Sequence, residues 1–152
     1  MTAIDTSTPA PVRFVLVGAG VIGKLHAAVI GSLAGRAELT AVVDLQPERA
    51  EALASAHGAK AFGSLGEALD AVGVDVVSVA TPTGRHAEVA IEALAAGKHV
   101  IIEKPAEVTL EKTDQIIEAQ RRAGTLVSVI SQHRFDPATE LMLEAIEKGR
   151  LG

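Results

Sequence analysis

Val12-Arg13-Phe14-Val15-Leu16-Val17-Gly18-Ala19-Gly20-Val21-Ile22-Gly23 is the stretch whose reading decides the fold. Its first six residues are mostly apolar and β-branched, which suits a buried strand, and Ala27, Ala28 and Ile30 carry a helical period onward from Gly23. Between the two elements stand three glycines spaced G-x-G-x-x-G. Gly18 permits a tight turn, Gly20 leaves out the Cβ that would keep a ligand from the backbone, and Gly23 lets the helix lie close to the strand. Val21 and Ile22 open the helix, and the free N–H groups of its first turn, at the positive end of the helix dipole, suit a pyrophosphate.

The same alternation continues outward. Short β-branched runs are expected as strands at Val12–Val17, Leu39–Asp44, Lys60–Phe62, Val74–Val79, His99–Ile102 and Leu126–Ile130, with Ala- and Leu-rich helices in the gaps. Glycines 58, 73, 97, 124 and 149 follow the helical runs as stop signals. Start signals agree: Ser64 with Glu67 forms a capping box, Pro47 suits a first helical position, and Thr83 and Thr109 suit N-caps. Strand, helix and short loop in repetition, with right-handed crossovers, predict an α/β fold built on a doubly wound parallel sheet of about six strands, the Rossmann arrangement. Residues 12–152 then form one dinucleotide-binding domain, and residues 1–11, rich in Thr, Ser and Pro, a mobile tail.

Composition narrows the partners. A net charge of −5 over 152 residues gives no basic footprint for nucleic acid or an anionic membrane surface. With no cysteine, thiolate nucleophiles, disulfides and cysteine-ligated metals are excluded. The five histidines are scattered without metal-site spacing, so no metal is expected. Ser78, Ser128 and Ser131 lack the Gly-x-Ser-x-Gly elbow of a serine hydrolase. No apolar run approaches the ~18 residues of a membrane span, and the start lacks a signal peptide's basic and apolar regions, so the expected location is cytoplasmic.

Asp44 ends the second strand, 21 positions past Gly23. An acid at that place accepts hydrogen bonds from the hydroxyls of an adenosine ribose, while as a structural residue it would cap the helix starting near Pro47. A carboxylate there repels the 2′-phosphate of NADP, and Leu45 and Gln46 supply no arginine to offset it. NAD is therefore preferred, with Arg49, a turn away, the cation that would meet NADP.

Two further clusters follow later strands, at the carboxyl ends where open α/β sheets bind ligands. They are Ala80-Thr81-Pro82-Thr83-Gly84-Arg85-His86 and Ile102-Glu103-Lys104-Pro105. Together with Gly97-Lys98-His99-Val100, these residues make the chain from Val12 onward resemble the glucose-fructose oxidoreductase, inositol dehydrogenase and rhizopine catabolism family, Gfo/Idh/MocA. The resemblance implies Thr81 and Pro82 beneath the nicotinamide side of the cofactor, Glu103 in cofactor-side contacts and Lys104 in the catalytic site, where an ammonium polarises a substrate hydroxyl. It also implies that the Lys104–Pro105 bond can be cis. His86 is grouped with the cofactor-side residues, though its position near a helix start suits packing better than base catalysis. His26, inside the first helix, reads as surface or core. Gln132, His133, Arg134 and Phe135 resemble the stretch lining the family's active-site mouth, with Gln132 where many members carry Asn.

Such enzymes are about twice as long, because a second α+β domain carries the substrate pocket. The resemblance thus implies the cofactor half of an NAD(P)-dependent oxidoreductase acting on a secondary alcohol of a sugar, cyclitol or related polyol, weakly active alone and homo-oligomeric in full-length form. A nucleotide-sensing module that binds NAD or NADH without catalysis is the alternative.

Overall fold

The computed structural model describes residues 10–150, so the expected tail over residues 1–9 lies outside the described residues, as do Leu151 and Gly152. In chain order the elements are β1 (Val12–Val17), α1 (Val21–Ser32), β2 (Ala37–Val43), α2 (Pro47–Ala56), β3 (Lys60–Phe62), α3 (Leu65–Ala71) and β4 (Val76–Val79), then a 3-10 turn at Thr83–Arg85. They continue with α4 (His86–Ala95), β5 (His99–Ile102), α5 (Leu110–Ala123), β6 (Val127–Val129), a second 3-10 turn at Gln132–Phe135 and α6 (Pro137–Glu147). The six strands form one parallel sheet in the order β3-β2-β1-β4-β5-β6. Strand order reverses between β1 and β4, the switch point at which doubly wound sheets leave a crevice.

Strand alternation sorts the core into two layers. Val15, Val17, Val77 and Val79 face α3, α4 and α5, whereas Leu16 and Val42 face α1 and α2. Ala27, Ala90 and Ala93, all fully buried, let α1 and α4 approach the sheet closely. The caps follow the expected chemistry. Ser64 Oγ accepts the Glu67 N–H at 3.3 Å while the Glu67 carboxylate reaches back to the Gly63 N–H at 3.2 Å. Thr109 Oγ1 accepts the Lys112 N–H at 3.3 Å, and Pro47 occupies the first turn of α2.

Five expectations change, the simplest being that β6 covers only Val127–Val129 of the expected Leu126–Ile130. Gly73 has no left-handed backbone, unlike Gly58, Gly97, Gly124 and Gly149. A Cβ there would lie 2.1 Å from a guanidinium nitrogen of the half-exposed Arg13 side chain, which would have to shift, and the Gly73 carbonyl accepts the Thr40 hydroxyl at 3.1 Å. β4 correspondingly begins at Val76 rather than Val74. Thr83 opens a 3-10 turn without a side-chain cap, and α4 is capped instead by Glu107, whose carboxylate accepts the Ala87 N–H at 2.9 Å from a loop beyond β5. β2 stops at Val43, which leaves Asp44 just past the sheet.

Candidate nucleotide-binding site

The three glycines are required for different reasons. Gly18 has φ +104°, and a Cβ on it would stand 2.5 Å from the Ala80 carbonyl oxygen; one on Gly23 would stand 1.9 Å from the Gly18 oxygen. Both are fixed by the close approach of backbone to backbone. Gly20 differs, since a Cβ there meets nothing within 4 Å, and its backbone is extended. Open space borders the one glycine at which a side chain would fit the fold. Gly20 is also the N-cap of α1 and offers no side chain to that helix's first N–H groups. Those donors are left for a ligand.

A groove of about 560 Å³ opens at this place. Gly18, Gly20, Val21 and Ile22 line one side, Asp44 and Arg49 another, and Thr81, Pro82 and Arg85 the far end. A larger hollow of about 740 Å³ between α1 and α2 shares Gly20, Val21 and Arg49, but neither Asp44 nor the β4 end reaches it. Of the two, the groove joins the glycine turn to the strand ends, which makes it the candidate site. Gly23 lies beneath the turn and does not line the groove.

Asp44 Oδ2 accepts the Ala19 N–H at 2.8 Å and Oδ1 accepts the Gln46 N–H at 2.9 Å. The carboxylate therefore braces the glycine turn and the entry to α2 together, and Asp44 also lines the groove. The α2 cap expected of Asp44 is not formed: Gln46 is the N-cap residue, no side chain bonds the first turn of that helix, and Asp44 reaches only the Gln46 N–H.

The far end is built from the ends of β4 and β5. Thr81 Oγ1 is buried there with no hydrogen-bond partner, a deficit that costs free energy in a finished core. His86 is turned away from the groove: it is 1% exposed, with Nδ1 2.9 Å from the Pro105 carbonyl oxygen and Nε2 2.9 Å from that of Thr81. Lys104 is exposed one strand over, beyond the groove lining, and its bond to Pro105 is cis. Glu103 stands between, its Oε2 accepting the Lys104 N–H at 3.0 Å.

His26 has a partner that its place in the sequence does not reveal. Its Nε2 lies 3.1 Å from Glu103 Oε1 and its Nδ1 2.7 Å from Ser78 Oγ, with the His26 and Glu103 side chains each 13% exposed. A carboxylate only accepts, which puts the N–H on Nε2 and leaves Nδ1 to accept from the Ser78 hydroxyl. The connectivity is that of a hydrolytic triad, but Ser78 is 2% exposed inside β4, so no substrate reaches it. The spacing between positions 26 and 103 hides this pair; only the sheet order brings α1 over the β5 end. His133, with Gln132, Arg134 and Phe135, lies exposed in the second 3-10 turn, its Nδ1 2.8 Å from Asp136 Oδ2.

Among the described residues no group of His, Asp and Glu could hold a metal ion, and no helix is long and apolar enough to cross a membrane. An uncapped helix start, an open Gly20, a carboxylate at the end of β2 and an unpaired hydroxyl at the β4 end fit a dinucleotide laid across the switch point. Fold and site thus define a dinucleotide-binding domain.

Comparison with known proteins gives the family. Residues 12–131 match the family described as "Oxidoreductase family, NAD-binding Rossmann fold", and the chain belongs to it, the Gfo/Idh/MocA oxidoreductases. Inositol 2-dehydrogenase of Rhizobium meliloti (strain 1021) is 36% identical over 143 residues, covering 93% of this chain and 42% of that protein. D-glucoside 3-dehydrogenase of Escherichia coli (strain K12) is 36% identical over 147 residues, covering 95% and 42%. The crystal structure of the WlbA dehydrogenase from Bordetella pertussis, in complex with NADH and UDP-GlcNAcA, superposes with a TM-score of 0.90 at 39% identity, covering 93% of this chain and 44% of that one. The chain spans less than half the length of these relatives.

Proposed function

We propose that this chain binds NAD across the groove and supplies the cofactor side of a dehydrogenase acting on a sugar, cyclitol or related polyol. The observation that carries the reading is the convergence of the glycine turn, Asp44 and the β4 end on one switch-point groove, with the β5 end in the next strand over. When bound, the cofactor supplies a nicotinamide carbon that takes or gives a hydride. The N–H groups at the start of α1 hold the diphosphate, and Asp44 accepts from the adenosine ribose hydroxyls. Thr81 and Pro82 set the floor of the nicotinamide end. Lys104, a compact charge at the β5 end, polarises the oxygen of the secondary alcohol and steadies the negative charge that grows on it as hydride leaves. The R. meliloti and E. coli relatives, named for inositol and D-glucoside, support polyols and sugars as the substrate class.

Titration with NADH and NADPH, followed by nicotinamide fluorescence, tests the binding step: saturable binding with NADH preferred is expected, and no binding of either overturns the reading. Assaying NADH formation from cyclitols and sugars with the full reading frame, before and after Lys104→Ala, tests the chemical step. Undiminished turnover in Lys104→Ala removes that lysine from catalysis.

A further inference from the structure

β4 and β5 run in register from Val76 opposite His99 to Val79 opposite Ile102. Their ladder ends with the Glu103 N–H donating to the Val79 carbonyl at 3.0 Å. Beyond it, among the described residues, no backbone hydrogen bond joins the loop after β4 to the loop after β5. What holds the two loops together beyond the ladder is therefore side chains: the Glu107 carboxylate accepts the Ala87 N–H, and Lys112 Nζ donates to the Gly84 carbonyl, both away from Thr81 and Lys104 themselves. The two loops carry Thr81 and Lys104, which must keep a fixed distance if one lies under a nicotinamide and the other beside its substrate.

Two imidazoles span the gap, one on each face of the sheet. His26 on α1 joins Ser78 of β4 to Glu103 at the end of β5. Glu103 in turn accepts the Lys104 N–H, so the bridge ends on the lysine's own backbone. On the opposite face His86, at the head of α4, has Nε2 2.9 Å from the Thr81 carbonyl oxygen and Nδ1 2.9 Å from that of Pro105; both oxygens only accept, so the ring joins them when each nitrogen carries an N–H. Rigid rings with nitrogens on two edges suit such a bridge, because each holds two partners at a set separation with little rotamer freedom to lose. Neither ring lines the groove, so neither touches a ligand there.

We infer that His26 and His86 are positioning residues, two pins that fix Lys104 and Thr81 relative to each other across the β4–β5 junction. The inference rests on the proposed NAD-binding function. It separates the two ends of the site: the adenine end, built from the glycine turn and Asp44, does not depend on the pins, whereas the nicotinamide end does.

The test compares NADH with ADP-ribose, which lacks the nicotinamide, on the unaltered chain and on His26→Gln, His86→Gln and Ser78→Ala. A glutamine amide places its donors and acceptor on one end and cannot span two partners on opposite edges. Ser78→Ala removes one hydroxyl and keeps the test open where a histidine variant fails to fold. In each folded variant ADP-ribose affinity should stay within about twofold, while NADH affinity falls about fivefold or more relative to it, the scale of one or two lost hydrogen bonds. The emission change of bound NADH should diminish in parallel. An unchanged ratio of the two affinities overturns the inference, as does equal loss of both ligands in a variant that melts at the unaltered temperature. Absence of binding of either ligand to the unaltered chain overturns the proposed function itself and this inference with it.

Discussion

The Asp44 carboxylate accepts the Ala19 N–H at 2.8 Å, and through that bond the end of β2 holds the turn between β1 and α1 in place. Gly18 adds a second tie, its N–H donating to the Val43 carbonyl at 2.8 Å. β2 thus braces the glycine turn through both a side chain and a main chain. Only the side chain also faces the groove, so substitution at Asp44 can address the ligand while the main-chain tie persists.

Asp44→Ala should therefore weaken NAD about tenfold or more, since hydrogen bonds to a charged group contribute roughly 1.5–3 kcal/mol. Asp44→Asn keeps an acceptor but removes the negative charge, and should raise the ratio of NADP to NAD affinity. Calorimetric titration of both variants with both nucleotides checks this. Unaltered NAD affinity in Asp44→Ala contradicts the ribose role.

The glycines separate fold from function. Gly18→Ala and Gly23→Ala drive a Cβ to 2.5 and 1.9 Å from backbone oxygens, and both should unfold at lower denaturant concentration than the unaltered chain, by about 2 kcal/mol or more. Gly20→Val meets no protein atom near its Cβ and should keep the fold at a cost of about 1 kcal/mol for a β-branched residue at the α1 N-cap, yet lose NAD binding because the new side chain stands where the diphosphate would lie. Urea denaturation and NADH titration of the three variants together check the distinction. Tight binding by Gly20→Val would remove the glycine turn from the site.

What the sequence discloses depends on whether the signal is local. β1, the turn and α1 are legible because three glycines and an apolar strand lie within twelve consecutive residues. Asp44 is legible because a βαβ unit sets its distance from Gly23. The Ser64 and Thr109 caps are equally local. Thr83 resembles a cap in sequence, yet the real one, Glu107, arrives from another loop, and nothing near Thr83 announces it. Gly73 resembles a helix stop for a similar reason: its neighbour is the Arg13 guanidinium, 60 positions earlier in the chain. His26 and His86 depend on the strand order β1-β4-β5, which brings together residues that no sequence spacing relates.

Glu107 is 6% exposed, and burial alone would raise its pKa; the Ala87 and Val108 N–H groups on its carboxylate, with Lys112 and His86 nearby, outweigh that and hold it below the ordinary value. A group lowered in this way adds stability above its unfolded pKa and loses that contribution as pH falls through the folded one. Glu107→Ala leaves the start of α4 without its cap and should cost about 1–3 kcal/mol at neutral pH. The deficit should shrink in acid, where the unaltered carboxylate is itself protonated. Urea unfolding at neutral and acid pH measures both; a deficit independent of pH would assign the effect to lost packing alone.

Arg13 and Asp75 make the corresponding pair on the surface, between the start of β1 and the approach to β4. The Asp75 carboxylate accepts the Arg13 Nε–H at 3.0 Å, a terminal guanidinium N–H at 2.7 Å and the Arg13 main-chain N–H at 2.8 Å. Hydrogen bonds from the Arg13 side chain and then its backbone lower the Asp75 pKa from 3.8 to about 2. Both side chains are more than a third exposed, so water and salt screen the pair and its contribution to stability is modest. Its sign is nevertheless fixed: the contribution is complete above 3.8 and disappears as pH falls through about 2. Asp75→Asn should accordingly flatten the acid limb of a stability profile over that window and leave its shape above it unaltered. Added salt should reduce the difference between the two proteins. Profiles that stay parallel down to the lowest pH would mean that Asp75 titrates alike in the folded and unfolded chains, and the hold of Arg13 on its carboxylate would have to be abandoned.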